Sequence, residues 1–298
     1  MRKSRAIPLF LAFLLSVATS LHAQSAITAD PVPDKANPAA MQSVQIPSHG
    51  ALLNGLVYIA SGAGPHPTVI LLHGFPGNER NLDIAQAIRR DGWNVLYFNY
   101  RGSWGSPGDF SFTHSIEDTH SAIAFLRDPA NATRFRSDPK SIVLIGHSMG
   151  GFMTLQASAS DPAIKAIATI SAADFGISRL QSLPADQHDA AVKGLAAHLA
   201  SEGMAPLAGT TPESLANELI TNAAKWNFVG LAPNLATRPI LVLTSDDGLA
   251  PANDAFVEAL RKAGNQQVQE IHIATDHAYS DHRIALEKDI LDYLNSLK

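Results

Sequence analysis

The sequence contains no cysteine. Disulfides, a thiol nucleophile, a thiolate metal site and a lipid anchor on an N-terminal cysteine are therefore excluded. Charge is also sparse: 16% of the residues are Asp, Glu, Lys or Arg, and the formal net charge is −5. Such an acidic chain is not expected to bind nucleic acid or an anionic membrane surface. Long apolar runs are scarce. Ala6 to Ser20 is almost wholly apolar, but it is short for a membrane span and no second such run follows. It stands behind Arg2, Lys3 and Arg5 and ahead of Leu21-His22-Ala23, the layout of a secretory signal peptide over residues 1–23. Cleavage there leaves 19 basic against 27 acidic residues, a net charge of −8. A periplasmic or secreted bacterial protein with no remaining membrane anchor is the expectation. Histidines and aspartates recur toward the carboxyl end, but their spacing matches no ligand pattern, so neither a metal nor a cofactor is expected.

What is present suits one large α/β domain: 298 residues with 46% hydrophobic content. Residues 24–42, with Pro31, Pro33 and Pro38, carry no apolar period and read as a flexible lead-in. From Ser43 the texture changes. Ser43 to Ile46 and Leu52 to Ile59 predict a hairpin at a sheet edge. The continuous apolar run Thr68 to Leu72 predicts a strand buried on both faces. Helices follow at Asn81 to Arg90, with Asn81 as cap, and at Ile116 to Leu126, with a strand at Asn94 to Phe98 between them. Further strands are predicted at Ile164 to Ile170, Ile240 to Thr244 and Val268 to Ile273. Such alternation builds a mostly parallel sheet with helices on both faces. Residues 174–233 break the rhythm. They are rich in Ala and Leu, interrupted by Pro184, Pro206, Pro212 and Pro233, and contain no strand, so they read as an inserted helical cap.

The stretch Ser141 to Gly151 carries the chemistry. An apolar, β-branched run ends in Gly146-His147-Ser148-Met149-Gly150, and a helix-forming segment follows. Strand, sharp turn and helix in that order make a nucleophile elbow. Side chains at 146 and 150 would collide with the neighbouring strand and helix, while the turn lifts Ser148 Oγ above the sheet. The Met149 N–H, opening the helix, points where an oxyanion forms. A serine hydroxyl needs a base, and the base needs an orienting acid. Asp247, after the strand Ile240 to Thr244, and His277, after Val268 to Ile273, supply them in the order Ser, acid, His. Asp246 is the competing acid. His272 reads as a sheet-face residue, His282 as the start of the last helix, His147 as pointing away from the serine and Asp276 as a solvated loop acid. In His73-Gly74-Phe75-Pro76-Gly77 the Phe75 N–H is the second oxyanion donor. Pro76 has none, and His73 bonds within its loop. Arg101, Trp104 and Trp226 are candidate substrate contacts; for Arg101 a structural tie between its loop and the core is the favoured alternative.

These segments, with Asn99-Tyr100-Arg101-Gly102-Ser103-Trp104-Gly105, Asp247-Gly248-Leu249-Ala250-Pro251 and Asp276-His277, resemble the α/β-hydrolase superfamily over residues 43–298. Within it the chain looks like the branch of dienelactone-hydrolase-like and prolyl-oligopeptidase-like enzymes. It departs from true dienelactone hydrolases by having serine in place of cysteine. Unlike large prolyl oligopeptidases it has no N-terminal propeller, and unlike dehalogenases and epoxide hydrolases no aspartate nucleophile. The resemblance implies an α/β-hydrolase fold and a serine hydrolase acting on a small-molecule ester or a short peptide. Cleavage of carboxylic esters is the first expectation. A peptidase or amidase is the alternative, and a non-catalytic binding protein on the same scaffold the third.

Overall fold

In a computed structural model, residues 26–298 are described; the expected signal peptide, 1–23, lies outside the described residues. The chain begins with a hairpin, β1 (Ala40–Ser48) and β2 (Ala51–Ile59). They pair antiparallel through the two-residue turn His49-Gly50, where both φ angles are positive (46° and 86°). Short hairpins require such a turn because it matches the twist of the strands. The remaining strands are β3 (His66–Leu72), β4 (Asn94–Phe98), β5 (Ser137–His147), β6 (Ala166–Ile170), β7 (Ile240–Ser245) and β8 (Val268–Ile273). They form one sheet in the order β1-β2-β4-β3-β5-β6-β7-β8. β2 joins β4 antiparallel, and from β4 to β8 every pairing is parallel.

The sheet is covered on both sides, which explains the uninterrupted apolar strands. Along β3, Ile70 and Leu72 join one apolar cluster with Phe152 and Phe256, whereas Val69 and Leu71 join another with Ile84, Ile88 and Leu291. Helices α1 (Leu82–Arg90), α2 (Phe112–Arg127), α3 (Pro129–Phe135) and α4 (Met149–Ser160) connect the strands up to β6. Asn81 stands at the start of α1 but does not cap it. Its backbone is left-handed (φ 55°), and its Oδ1 instead accepts from Arg283 Nη2 at 3.0 Å. α2 begins one turn earlier than the apolar spacing predicts because Ser111 caps it, accepting from the His114 N–H. The described part of the lead-in lies against the domain: Ala26 is buried, and Asn37 O accepts from Gly62 N–H.

Between β6 and β7 run α5 (Ser178–Gln181), α6 (His188–Ser201), α7 (Pro212–Asn222) and α8 (Phe228–Leu235). α6 and α7 pack on each other, while α8 packs against α4 and against α9 (Ala250–Lys262) in the layer of crossover helices. The excursion is fastened to the loop after β4. Trp104 N–H donates to Pro206 O, Ala208 N–H to Gly102 O and Phe110 N–H to Ala208 O. Glu218 of α7 accepts from the Phe112 and Thr113 N–H groups, so one helix caps the first turn of another. The last helix, α10 (Arg283–Ser296), lies against α1. Among the described residues no helix is long and apolar enough to cross a membrane.

Candidate active site

Ser148 sits between β5 and α4 with φ 55° and ψ −120°, a backbone conformation that costs energy in any residue with a side chain. Its surroundings hold it there. Ser148 N–H donates to Ile170 O at 2.9 Å, and Ala173 N–H donates back to Ser148 O at 3.1 Å. The two flanking glycines are obligatory. A Cβ at 146 would lie 2.0 Å from Gly150 O, and one at 150 would lie 2.1 Å from Leu72 O. Met149 opens α4, which directs its N–H out of the helix N-terminus beside the serine.

His277 and Asp247 are brought together by the loops after β8 and β7. His277 Nδ1 lies 2.7 Å from Asp247 Oδ2, and the other carboxylate oxygen accepts from Leu249 N–H at 2.9 Å. The imidazole nitrogen facing a carboxylate is the protonated one, which leaves Nε2 to act as acceptor. Burial of Asp247 opposes its charge. The hydrogen bonds from His277 and Leu249, with the hydroxyls of Ser171 and Ser245 nearby, outweigh that and hold the carboxyl below the usual carboxylate range.

His147 reaches this pair as well. Its ring lies 4.6 Å from that of His277, centroid to centroid, and its Nε2 donates to His277 O at 2.8 Å. Burial lowers its pKa to about 4, so the ring is neutral at pH 7. The sequence predicts only that it points away from Ser148; that it supports the His277 backbone is visible in the structure alone. Asp246, the competing acid, faces His272 Nε2 at 3.1 Å instead. Asp276 is exposed and accepts from Ser280 N–H, and His282 precedes α10 and pairs with Asp281.

The loop after β3 passes beside the serine: a Cβ on Gly74 would be 3.0 Å from Ser148 Cβ and 3.5 Å from its Oγ. Phe75 follows at once, with its ring 5.9 Å from those of Phe110 and Phe112. His73 is buried, donates from Nδ1 to Gly74 O at 2.8 Å, and is pushed by burial to a pKa of about 4.

Two of the candidate substrate contacts have structural partners, and for Arg101 these match the favoured alternative. Arg101 is buried: Nε meets Asp118 at 2.7 Å, Nη2 meets Glu117 at 2.5 Å, and Nη2 also donates to His114 O. Through these contacts it ties the β4 loop to α2. Its signal was present in sequence, because Asp118 falls three residues after Ser115 and four before Ala122 on the buried stripe of α2. Trp226 is buried among Phe112, Phe152 and Phe175 and packs the segment between β6 and β7 onto α2 and α4. Trp104 remains half-exposed, donates from Nε1 to Pro76 O, and carries the Arg80 guanidinium 4.1 Å above its ring. Among the described residues no group of three or more His, Cys, Asp or Glu could hold a metal ion.

A family model described as alpha/beta hydrolase fold matches residues 67–239, more than half of the chain. The uncharacterized protein YfhR of Escherichia coli K12 is 32% identical over 155 residues, covering 48% of this chain and 52% of that protein. Esterase EstD of Thermotoga maritima is 27% identical over 150 residues, 46% of this chain and 34% of the enzyme. The chain thus spans about half the length, or less, of these curated relatives. Among solved structures, the thermostable carboxylesterase EstE1 from a metagenomic library superposes with a TM-score of 0.63 at 19% identity, covering 98% of each chain. Est1E of Butyrivibrio proteoclasticus, bound to ferulic acid, gives 0.61 at 19% identity over 84% of this chain and 97% of that one.

Proposed function

The chain belongs to the alpha/beta hydrolase fold family, and from that premise we propose that it is an exported serine hydrolase that cleaves carboxylic esters through an acyl-enzyme. Ser148 Oγ attacks the ester carbonyl carbon while His277 Nε2 takes the hydroxyl proton. Asp247 stays ionised and stabilises the imidazolium. The N–H groups of Phe75 and Met149 hold the oxyanion of the tetrahedral intermediate. As that intermediate collapses, the alcohol leaves with the proton from His277. Water, deprotonated by the same nitrogen, attacks the acyl carbon. The carboxylic acid departs and Ser148 regains its proton. No step consumes anything but ester and water.

The observation that carries this reading is the 2.7 Å contact between His277 and Asp247, on loops adjoining a serine held at φ 55°. The esterase names among the relatives favour ester over peptide bonds. Export rests on the N-terminal sequence, and on it rests a periplasmic or secreted location. The test compares wild type with Ser148→Ala on p-nitrophenyl butyrate. The variant should lose several orders of magnitude in kcat, and a fluorophosphonate should label wild type at Ser148. Equal, background-level rates together with no labelling would point to a binding protein on a hydrolase scaffold.

A further inference from the structure

Beneath the His277–Asp247 pair lies a group of three buried hydroxyls that the proposed mechanism does not use. Ser171 follows β6, Ser245 ends β7 and Tyr279 stands two residues after His277; all three side chains are fully buried. Ser171 Oγ lies 2.9 Å from Ser245 Oγ and 3.1 Å from the Tyr279 hydroxyl. Two of the three residues occupy backbone conformations unfavourable to side chains, φ 44° at Ser171 and φ 56° at Tyr279. Such strain persists only where the surroundings over-determine it, and it concentrates at functional sites.

Resting on the reading of Ser148, His277 and Asp247 given above, we propose that Ser171, Ser245 and Tyr279 are positioning residues that hold Asp247 and the His277 loop in register with the elbow. The cluster adjoins the acid: Ser171 and Ser245, linked to each other, both help to hold the Asp247 carboxyl below its usual range. Each serine adjoins a different part of the site. Ser171 comes directly after Ile170, whose carbonyl holds the Ser148 N–H, and its own N–H donates to Leu243 O. Ser245 precedes Asp247 by two residues. Tyr279 closes the loop of His277: its N–H donates to Asp276 O, and its carbonyl accepts from His282 N–H. One cluster therefore connects the loops after β6, β7 and β8, and with them all three reacting side chains.

The experiment replaces Tyr279→Phe, Ser171→Ala and Ser245→Ala, with Ser245→Thr as the variant that keeps the hydroxyl. Tyr293→Phe is the control, since it removes another buried hydroxyl, one that donates to Ile167 O on the same strand β6. Each cluster variant should lower kcat for p-nitrophenyl butyrate by about ten-fold or more with KM unchanged, and Ser245→Thr should recover most of it. Tyr293→Phe should lose thermal stability only. A second readout does not depend on turnover: the low-field proton resonance of His277 Nδ1–H, identified by its loss in His277→Ala. It should shift or broaden in the cluster variants and stay in place in Tyr293→Phe. The proposal is overturned if that resonance is the same in Tyr279→Phe and Ser171→Ala as in wild type, or if kcat falls only as far as in Tyr293→Phe. Absence of wild-type turnover would count against the esterase reading instead, with the resonance still deciding the role of the cluster.

Discussion

Asp246 and Asp247 are neighbours on one turn, and their surroundings separate their roles. Asp247 receives His277 Nδ1 and Leu249 N–H, whereas Asp246 meets His272 at the exposed edge strand. Asp247→Asn should therefore lower kcat by roughly 10³- to 10⁴-fold, since the amide cannot favour the required tautomer or balance the imidazolium. Asp246→Asn should stay within a few-fold of wild type. Steady-state kinetics on one short ester decide it, and the reverse ranking would exchange the two assignments. The candidates Ser148, Asp247 and His277 could be picked out in the sequence because each follows a recognisable strand in the expected order. The partners around them were not. Ser171 and Ser245 are ordinary residues at strand ends, and nothing in their local sequence says that their hydroxyls meet across the sheet.

At the level of elements, Arg101 binds the loop after β4 to α2 through Asp118, whose carboxylate is wholly buried. Burial raises the Asp118 carboxyl despite its hydrogen bonds from Arg101 and Ser48. Removing the guanidinium leaves an uncompensated acid, so Arg101→Met should cost about 3–5 kcal/mol of stability. Part of that loss should return in the double variant Arg101→Met/Asp118→Leu. Thermal melts measure both, and KM for a small ester should not change in either; a raised KM at unchanged Tm would restore Arg101 as a substrate contact. Glycines behave according to their place. Gly150→Ala forces the new methyl onto Leu72 O and should destabilise the elbow and lower kcat. Gly194, exposed in mid-α6 with nothing within 4 Å of a Cβ, is the opposite case. Gly194→Ala should stabilise by about 0.5–1 kcal/mol, read as a higher Tm.

Over the whole molecule, two buried histidines give stability a pH dependence. His73 and His147 are neutral when folded, with pKa values of about 4, and take up a proton near 6.5 when the chain unfolds. The unfolded state then binds more protons between those values, so stability is complete above about pH 6.5 and falls as the pH drops toward 4. Each histidine should remove about 2 kcal/mol between pH 7 and 5. Asp118 and Asp174, whose carboxyls burial raises, act in the opposite sense and offset part of it. Urea titrations at the two pH values should show the midpoint falling, and His73→Gln should flatten the slope; a flat wild-type profile would mean that these rings are charged in the folded protein. The sequence by itself determined the strands, several of the crossover helices, the elbow glycines and the order of the candidates Ser148, Asp247 and His277, because period, turn chemistry and short-range sterics are local. Tertiary structure alone decided that Trp226 packs among Phe112, Phe152 and Phe175, that His147 supports the His277 backbone and that three distant hydroxyls meet near Asp247. Those facts depend on which loops the parallel sheet brings side by side, and contacts between residues far apart in the chain have no local signature in the sequence.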